Sequence, residues 1–329
     1  MILKNNYLEV EISEFGASII SIKTPDRHGK IVDVVLGYND IEKYKRQTKY
    51  IGATVGRCCN RIKNGLIEID GTKYQLNCND SKNHLHGGDI GFDKKIWNSK
   101  EIENGVELNY ISEDGEENYP GQLDVKVTYT LKENSLVINY KATTNKTTIC
   151  NLTNHTYFNL NGYGNILQHQ VQILADYFTE NNQESIPTGK IIPVENTPMD
   201  FRNPQYIEKD INNEYYQIKY AKGFDNNWVL NNYNGEIRKI ATAYSELSGI
   251  ELEVSTDLPG LQFYSGNFLD GAENGKNNIP IKNHSGLCLE CQYFPDASHH
   301  KNFPQPVLSV GEVYNKTIEY KFNVKPQFL

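Results

Sequence analysis

The sequence predicts an all-β protein with few or no helices, and three observations carry that prediction. Short runs rich in β-branched and aromatic residues recur along the 329 residues, each followed by a turn signal of Gly, Asn, Asp, Ser or Pro. Apolar residues at helical spacing are hard to find. No repeat of fixed period and no Pro/Ser-rich linker interrupts the pattern. Many short strands with regular turn punctuation are the signature of a sandwich or barrel, here as one large domain over residues 1–329.

In chain order, 7-YLEVEI-12 is the first clear strand and ends before Phe-Gly, and 66-LIEID-70 ends before Gly-Thr. The run 106-VELNYI-111 precedes the turn-rich EDGEENYPG, and 123-LDVKVTYTL-131 precedes KENS, beyond which 136-LVINYKAT-143 alternates again. Further strands are expected at 170-QVQILAD-176, 250-IELEVSTD-257, 261-LQFYSGN-267 and 286-GLCLECQYF-294. Two polar stretches, 76–95 and 181–204, read as long excursions from the sheets, and loops of that length in a compact domain are often functional.

Composition removes several function classes. A net charge of −8 with no basic stripe argues against a nucleic-acid partner. No run approaches the roughly 18 apolar residues of a membrane span. The first 22 residues alternate like a strand rather than showing a signal-peptide layout. The six cysteines include an adjacent pair and a near pair, an awkward disulfide framework, so reduced thiols in a cytoplasmic protein are expected.

Two segments carry a titratable group where a strand normally carries an apolar one. In 151-NLTNHTYFNL-160, alternation puts Asn151, Thr153, His155, Tyr157 and Asn159 on one face and Leu152, Asn154, Thr156, Phe158 and Leu160 on the other. In 286-GLCLECQYF-294, Leu287, Leu289, Cys291 and Tyr293 share one face, and Gly286, Cys288, Glu290 and Gln292 the other. A carboxylate there is costly unless it is paired, with Arg57 or Arg61 as candidate partners, or faces a cleft as a base of raised pKa. His84 and His86 in 83-NHLHGG-88 would share a face if extended, a pattern that can bind zinc. The spacing of Cys288 and Cys291 puts them on opposite faces and completes no such site, so no metal is expected. Arg61 and Asp225 could simply form ion pairs, whereas Gln262 lies among aromatics and glycines suited to sugar hydroxyls.

Taken in order, 56-GRCCNRIKNG-65, 83-NHLHGGDIGFDKKIW-97, 114-DGEENYPG-121, 151-NLTNHTYFNL-160, 186-IPTG-189, 223-GFDNN-227, 259-PGLQFYSGNFLDG-271 and 284-HSGLCLECQYFPDA-297 resemble the aldose 1-epimerase (galactose mutarotase) family over nearly the whole chain. The resemblance implies a large antiparallel β-supersandwich with an open cleft. It implies anomer interconversion of free aldohexoses such as galactose and glucose, with His155 as general acid and Glu290 as general base. Arg61, His86, Asp225 and Gln262 would bind the sugar, with Asn60 and Tyr157 beside them. No cofactor is implied, and a monomer or homodimer is expected. Departures fall at His84, Cys58–Cys59, Asn226 and Cys291; the last follows the base directly and could disturb it if oxidised. A sugar-phosphate epimerase would need more cationic groups in the cleft. A silent sugar-binding module would need no paired His155 and Glu290.

Overall fold

The computed structural model describes residues 1–326 and is built almost wholly from antiparallel strands. Two helices of one and a half turns, Ile41–Arg46 and Tyr216–Ala221, are the α-helices among the described residues. The largest sheet has nine strands. Its order runs Asn98–Ile102, Gly105–Ser112, Leu123–Lys132, Ser135–Thr144, Tyr314–Val324, Ile250–Thr256, Arg238–Ser245, His169–Ile173 and Gln205–Tyr206. A second sheet of five strands runs Pro187–Pro193, Tyr177–Asn181, Asp225–Val229, Gly260–Tyr264 and Cys288–Gln292. A four-stranded sheet over Ile2–Asp33 and four two-stranded ladders make up the rest of the strand pairing among the described residues.

Alternation explains how the two large sheets face one another. Val125, Val127 and Tyr129 from the nine-stranded sheet share a single core cluster with Phe178, Trp228, Phe263 and Leu289 from the five-stranded one. Successive side chains of each strand point to opposite faces, so the apolar set of each sheet is buried between them. The remaining face of the five-stranded sheet is free to carry polar groups.

Each of the nine strands set out above in chain order is present, with ends shifted by up to three residues. The polar excursion at 181–204 differs in part. Pro187–Pro193 pairs with Tyr177–Asn181 as an edge strand, and its prolines sit at the strand ends, where no ladder donor is lost. The stretch 76–95 is irregular apart from His84–Leu85, which pairs with Arg61–Ile62, and a single turn at Phe92–Lys94.

Candidate active site

The cleft forms where the exposed edge of the five-stranded sheet meets two loops. The edge strand Cys288–Gln292 is buried along its whole length, with Leu289 and Cys291 in the core and Cys288, Glu290 and Gln292 on the opposite face. The segment holding His155 runs antiparallel beside it. Phe158 and Leu287 exchange two backbone hydrogen bonds of 2.7 and 2.9 Å. At the other end the Asn151 side chain accepts from the Tyr293 N–H at 2.9 Å and donates to its carbonyl at 3.3 Å. Counting inward from the Phe158–Leu287 bridge, His155 falls opposite Glu290. Their Nε2 and Oε1 atoms lie 3.7 Å apart.

The expected ten-residue strand at 151–160 is paired as a strand only at Thr153–Asn154, against Thr54–Val55. Its polar row also divides. His155 and Tyr157 enter the cleft, whereas Asn159 clamps three carbonyls, those of Tyr163, Gly164 and Ser285. Leu152, Phe158 and Leu160 hold the core as alternation predicts. His155 is fixed by its backbone, whose N–H donates to Ala53 and whose carbonyl accepts from Gly52. Its Nδ1 lies 3.5 Å from Cys288 Sγ.

The second wall comes from the short ladder Arg61–Ile62 with His84–Leu85. Asn60 and His86 are bound to each other twice. The His86 N–H donates to the Asn60 carbonyl at 3.0 Å, and the Asn60 N–H donates to His86 Nδ1 at 3.1 Å. His86 itself has φ 51, which ends the extended run, and Gly87 follows at φ 93. A Cβ at Gly87 would run into the Gly56 carbonyl, so only glycine lets this loop close. The turn separates the two histidines. His84 is buried between the Asn77 carbonyl and the Tyr119 hydroxyl, at 2.6 Å from each, outside the cleft.

Together His155, Glu290, Asn60, Arg61, His86, Tyr157 and Asp225 line a cleft of about 180 Å³. Gln262 stands behind them and donates to Asp225 Oδ1 at 2.7 Å. Arg61 donates to Asp80 at 2.8 Å, rather than pairing with Glu290, and Arg57 is taken up by the Ser112, Pro120 and Gly121 carbonyls. Six further lining residues were not singled out by sequence: Thr48, Lys49, Tyr50, Leu85, Tyr264 and Phe268. Tyr264 is two residues beyond Gln262, so alternation contains the signal for it. Tyr50 lies in a loop with φ 56, where no period applies, and packs against both His86 and His155 at ring distances of 4.6 and 5.8 Å. Asn226, by contrast, points away from the cleft and donates to Gln217 at 2.6 Å.

Electrostatics here are governed by desolvation. Burial pushes Glu290 well above the usual carboxylate range, the nearby Asp225 charge pushes the same way, and Arg61 opposes both. Burial draws His155 down to about 4 and His86 well below its ordinary value. Burial thus opposes the charged form of each group and favours a carboxylic acid beside a neutral imidazole in the free cleft. Either arrangement holds one proton on two coupled groups.

His86, His155 and Glu290 also bring ligand-type atoms within 4.8 Å of one another. The Asn60 N–H on Nδ1, however, keeps the proton of neutral His86 on Nε2. That nitrogen is then a donor towards the cleft, and a cation there would set two N–H groups against each other. The trio suits a polyhydroxylated ligand better than a metal ion.

A sequence model of aldose 1-epimerases matches residues 1–321. The chain belongs to the aldose 1-epimerase family. It is 46% identical to a galactose mutarotase of Mus musculus, over 98% of this chain and 93% of that one. It is 36% identical to an aldose 1-epimerase of Escherichia coli, over 97% and 94%. The solved structure of an aldose epimerase homologue from C. elegans superposes with a TM-score of 0.92 at 31% identity, covering 98% of both chains. The antiparallel supersandwich expected from the sequence is the fold of this family.

Proposed function

We propose that the cleft opens and recloses the ring of free aldohexoses such as galactose and glucose, with Glu290 as general base and His155 as general acid. As a family member the protein is an aldose 1-epimerase, an isomerase. The observation that carries the residue roles is the facing pair, His155 Nε2 and Glu290 Oε1 at 3.7 Å, buried on the floor of a polar cleft.

The two groups hold one proton between them, and ring opening moves protons without changing that number. Glu290 takes the C1 hydroxyl proton while His155 gives its proton to the ring oxygen, so the C1–O5 bond breaks and C1 becomes an aldehyde. The pair passes from carboxylate and imidazolium to carboxylic acid and neutral imidazole, the form that burial favours. Rotation about C1–C2 by roughly half a turn presents the other face of the aldehyde. The reverse transfers then close the ring as the opposite anomer. Each such transfer contributes on the order of 10²–10⁴-fold.

His86 Nε2–H, Arg61, Asn60, Tyr157, Asp225 and Gln262 are the groups we assign to the sugar hydroxyls. Arg61 is already engaged by Asp80, which leaves less cationic capacity for a phosphate and favours an uncharged sugar. All six cysteines are free thiols, five of them buried, which supports a cytoplasmic location. Among the described residues no helix is long and apolar enough to cross a membrane. The single-domain reading is supported by one core cluster that runs from Leu8 to Phe322. A monomer or homodimer is expected.

The test is polarimetry on freshly dissolved α-D-galactose and α-D-glucose. The protein is expected to speed the decay of rotation over buffer; no acceleration for any common aldose would overturn the reading.

A further inference from the structure

Beside the reacting pair, the five-stranded sheet carries a cluster of amide side chains that the ring chemistry does not use. Strand register sets Asn227, Gln262 and Glu290 in one cross-strand row, and Val229, Gly260 and Gln292 in the next row on the same face. Opposed side chains in such a row have Cβ atoms about 4.5–5.5 Å apart. Gly260 contributes no side chain, and a Cβ there would meet Asn227 Oδ1, so the Asn227 amide lies over the space the glycine leaves. Asn227, Gln262, Gln292 and Glu290 thus surround one point on the face that carries the base.

Neighbouring groups fix two of the amides. Gln262 uses Nε2 to donate to Asp225, which turns Oε1 the other way. The Cys59 thiol donates to Gln292 Oε1 at 3.5 Å, which leaves Nε2 as the unused end. Asn227 Nδ2 and Oδ1, Gln292 Nε2, Gln262 Oε1 and Glu290 Oε2 then have no partner within the protein. All four residues are at most 3% exposed. Polar atoms buried so deeply are hydrogen-bonded as a rule, and a buried water takes two to four such partners.

We propose that an ordered water molecule sits on this amide floor and holds Glu290 Oε2, making Asn227 and Gln292 positioning residues for the base. The water accepts from Asn227 Nδ2 and Gln292 Nε2 and donates to Gln262 Oε1 and Glu290 Oε2, which fills its four positions and satisfies four of the five unpartnered atoms. One carboxylate oxygen is thereby anchored, and Oε1, the one facing His155, is left for the substrate. Other titratable groups around Glu290 are Asp225, Arg61, His86, His155, Cys59, Cys288, Cys291, Tyr157, Tyr264 and Tyr320. None of them bonds to Oε2. The inference rests on Glu290 being the base of the proposed reaction.

Gln292→Met and Asn227→Leu keep bulk and remove the donors. Each is expected to lower kcat/KM across the pH plateau about tenfold, mainly in kcat, because the carboxylate form becomes scarcer. The high-pH limb should move up by about one pH unit, and the deficit should close above it. A crystal structure of the unaltered protein should show water within hydrogen-bond distance of Oε2, lost in Gln292→Met. Folded variants with an unaltered pH profile, or a crystal structure with a protein atom on Oε2, would overturn the proposal. If Asn227→Leu does not fold, Gln292→Met and the crystal structure decide. If the unaltered protein accelerates no aldose, the proposed function falls instead. The floor is then judged by that crystal structure and by ¹³C NMR titration of the Glu290 carboxyl, which Gln292→Met should move upward.

Discussion

At Glu290, desolvation and the Asp225 charge both oppose the carboxylate, while catalysis requires it. The conflict makes the side chain a cost to folding. An unfolded chain ionises this group near 4.5, whereas the folded chain retains its proton to higher pH, so stability falls as pH rises from 4.5 towards the folded value. Glu290→Gln removes that cost. The variant is expected to lose about 10²-fold or more in kcat, yet to melt a few degrees higher at pH 7. The gain in melting temperature should vanish near pH 4, where both forms of the wild-type chain are protonated. Thermal scans at the two pH values check the sign. His155→Asn should likewise remove most activity with circular dichroism unchanged. The pair also sets a bell-shaped profile. Activity should fall at low pH as His155, drawn down to about 4, takes a second proton onto the pair. It should fall at high pH as the shared proton is lost from Glu290, and polarimetric rates across pH 3–10 trace both limbs.

The Glu290 strand tests the alternation from which it was read. Cys291 adjoins the base in sequence but points into the core, where burial pushes its thiol up and makes it inert. The concern that its oxidation could disturb Glu290 is therefore answered by geometry. Cys291→Ser is expected to cost about 1–3 kcal/mol of stability for a buried hydroxyl and to leave the pH profile unmoved. Denaturant melts and pH–rate curves separate the two effects. The His86 loop depends instead on backbone conformation. Gly87→Ala meets both a positive φ and the Gly56 carbonyl, so it should destabilise the chain by more than 1 kcal/mol and raise KM as His86 is displaced. A KM that stays unchanged in a folded variant would show that His86 is not needed for binding.

Across the whole molecule, Tyr314–Val324 lies at the centre of the nine-stranded sheet, between Ser135–Thr144 and Ile250–Thr256. Within this sheet the strands of residues 98–144 and those of residues 169–256 are joined through it. Ending the chain at residue 313 should split the sheet and abolish cooperative folding, as read by circular dichroism and solubility. The strand alternation, the all-β class and the core face of each long strand were legible because period-2 patterning is local. Asn227 and Tyr264 were equally legible, since each follows a chosen residue by two positions on the same face. Tyr50 and the turn that parts His84 from His86 were not, because positive-φ loops obey no period. The 151–160 segment was legible only in part, since its pairing is made by loops rather than by a ladder.

By itself, the sequence determined that His155 and Glu290 each sit where a strand needs an apolar residue, and that each therefore requires a partner or a ligand. It also carried the ordered motifs that resemble the family. Tertiary structure decided that the two are each other's partner. A bridge at Phe158–Leu287 and a clamp at Asn151–Tyr293 hold two segments far apart in sequence in antiparallel register. It also set the direction in which each pKa moves, because desolvation is a property of everything that surrounds a side chain and no local pattern encodes it.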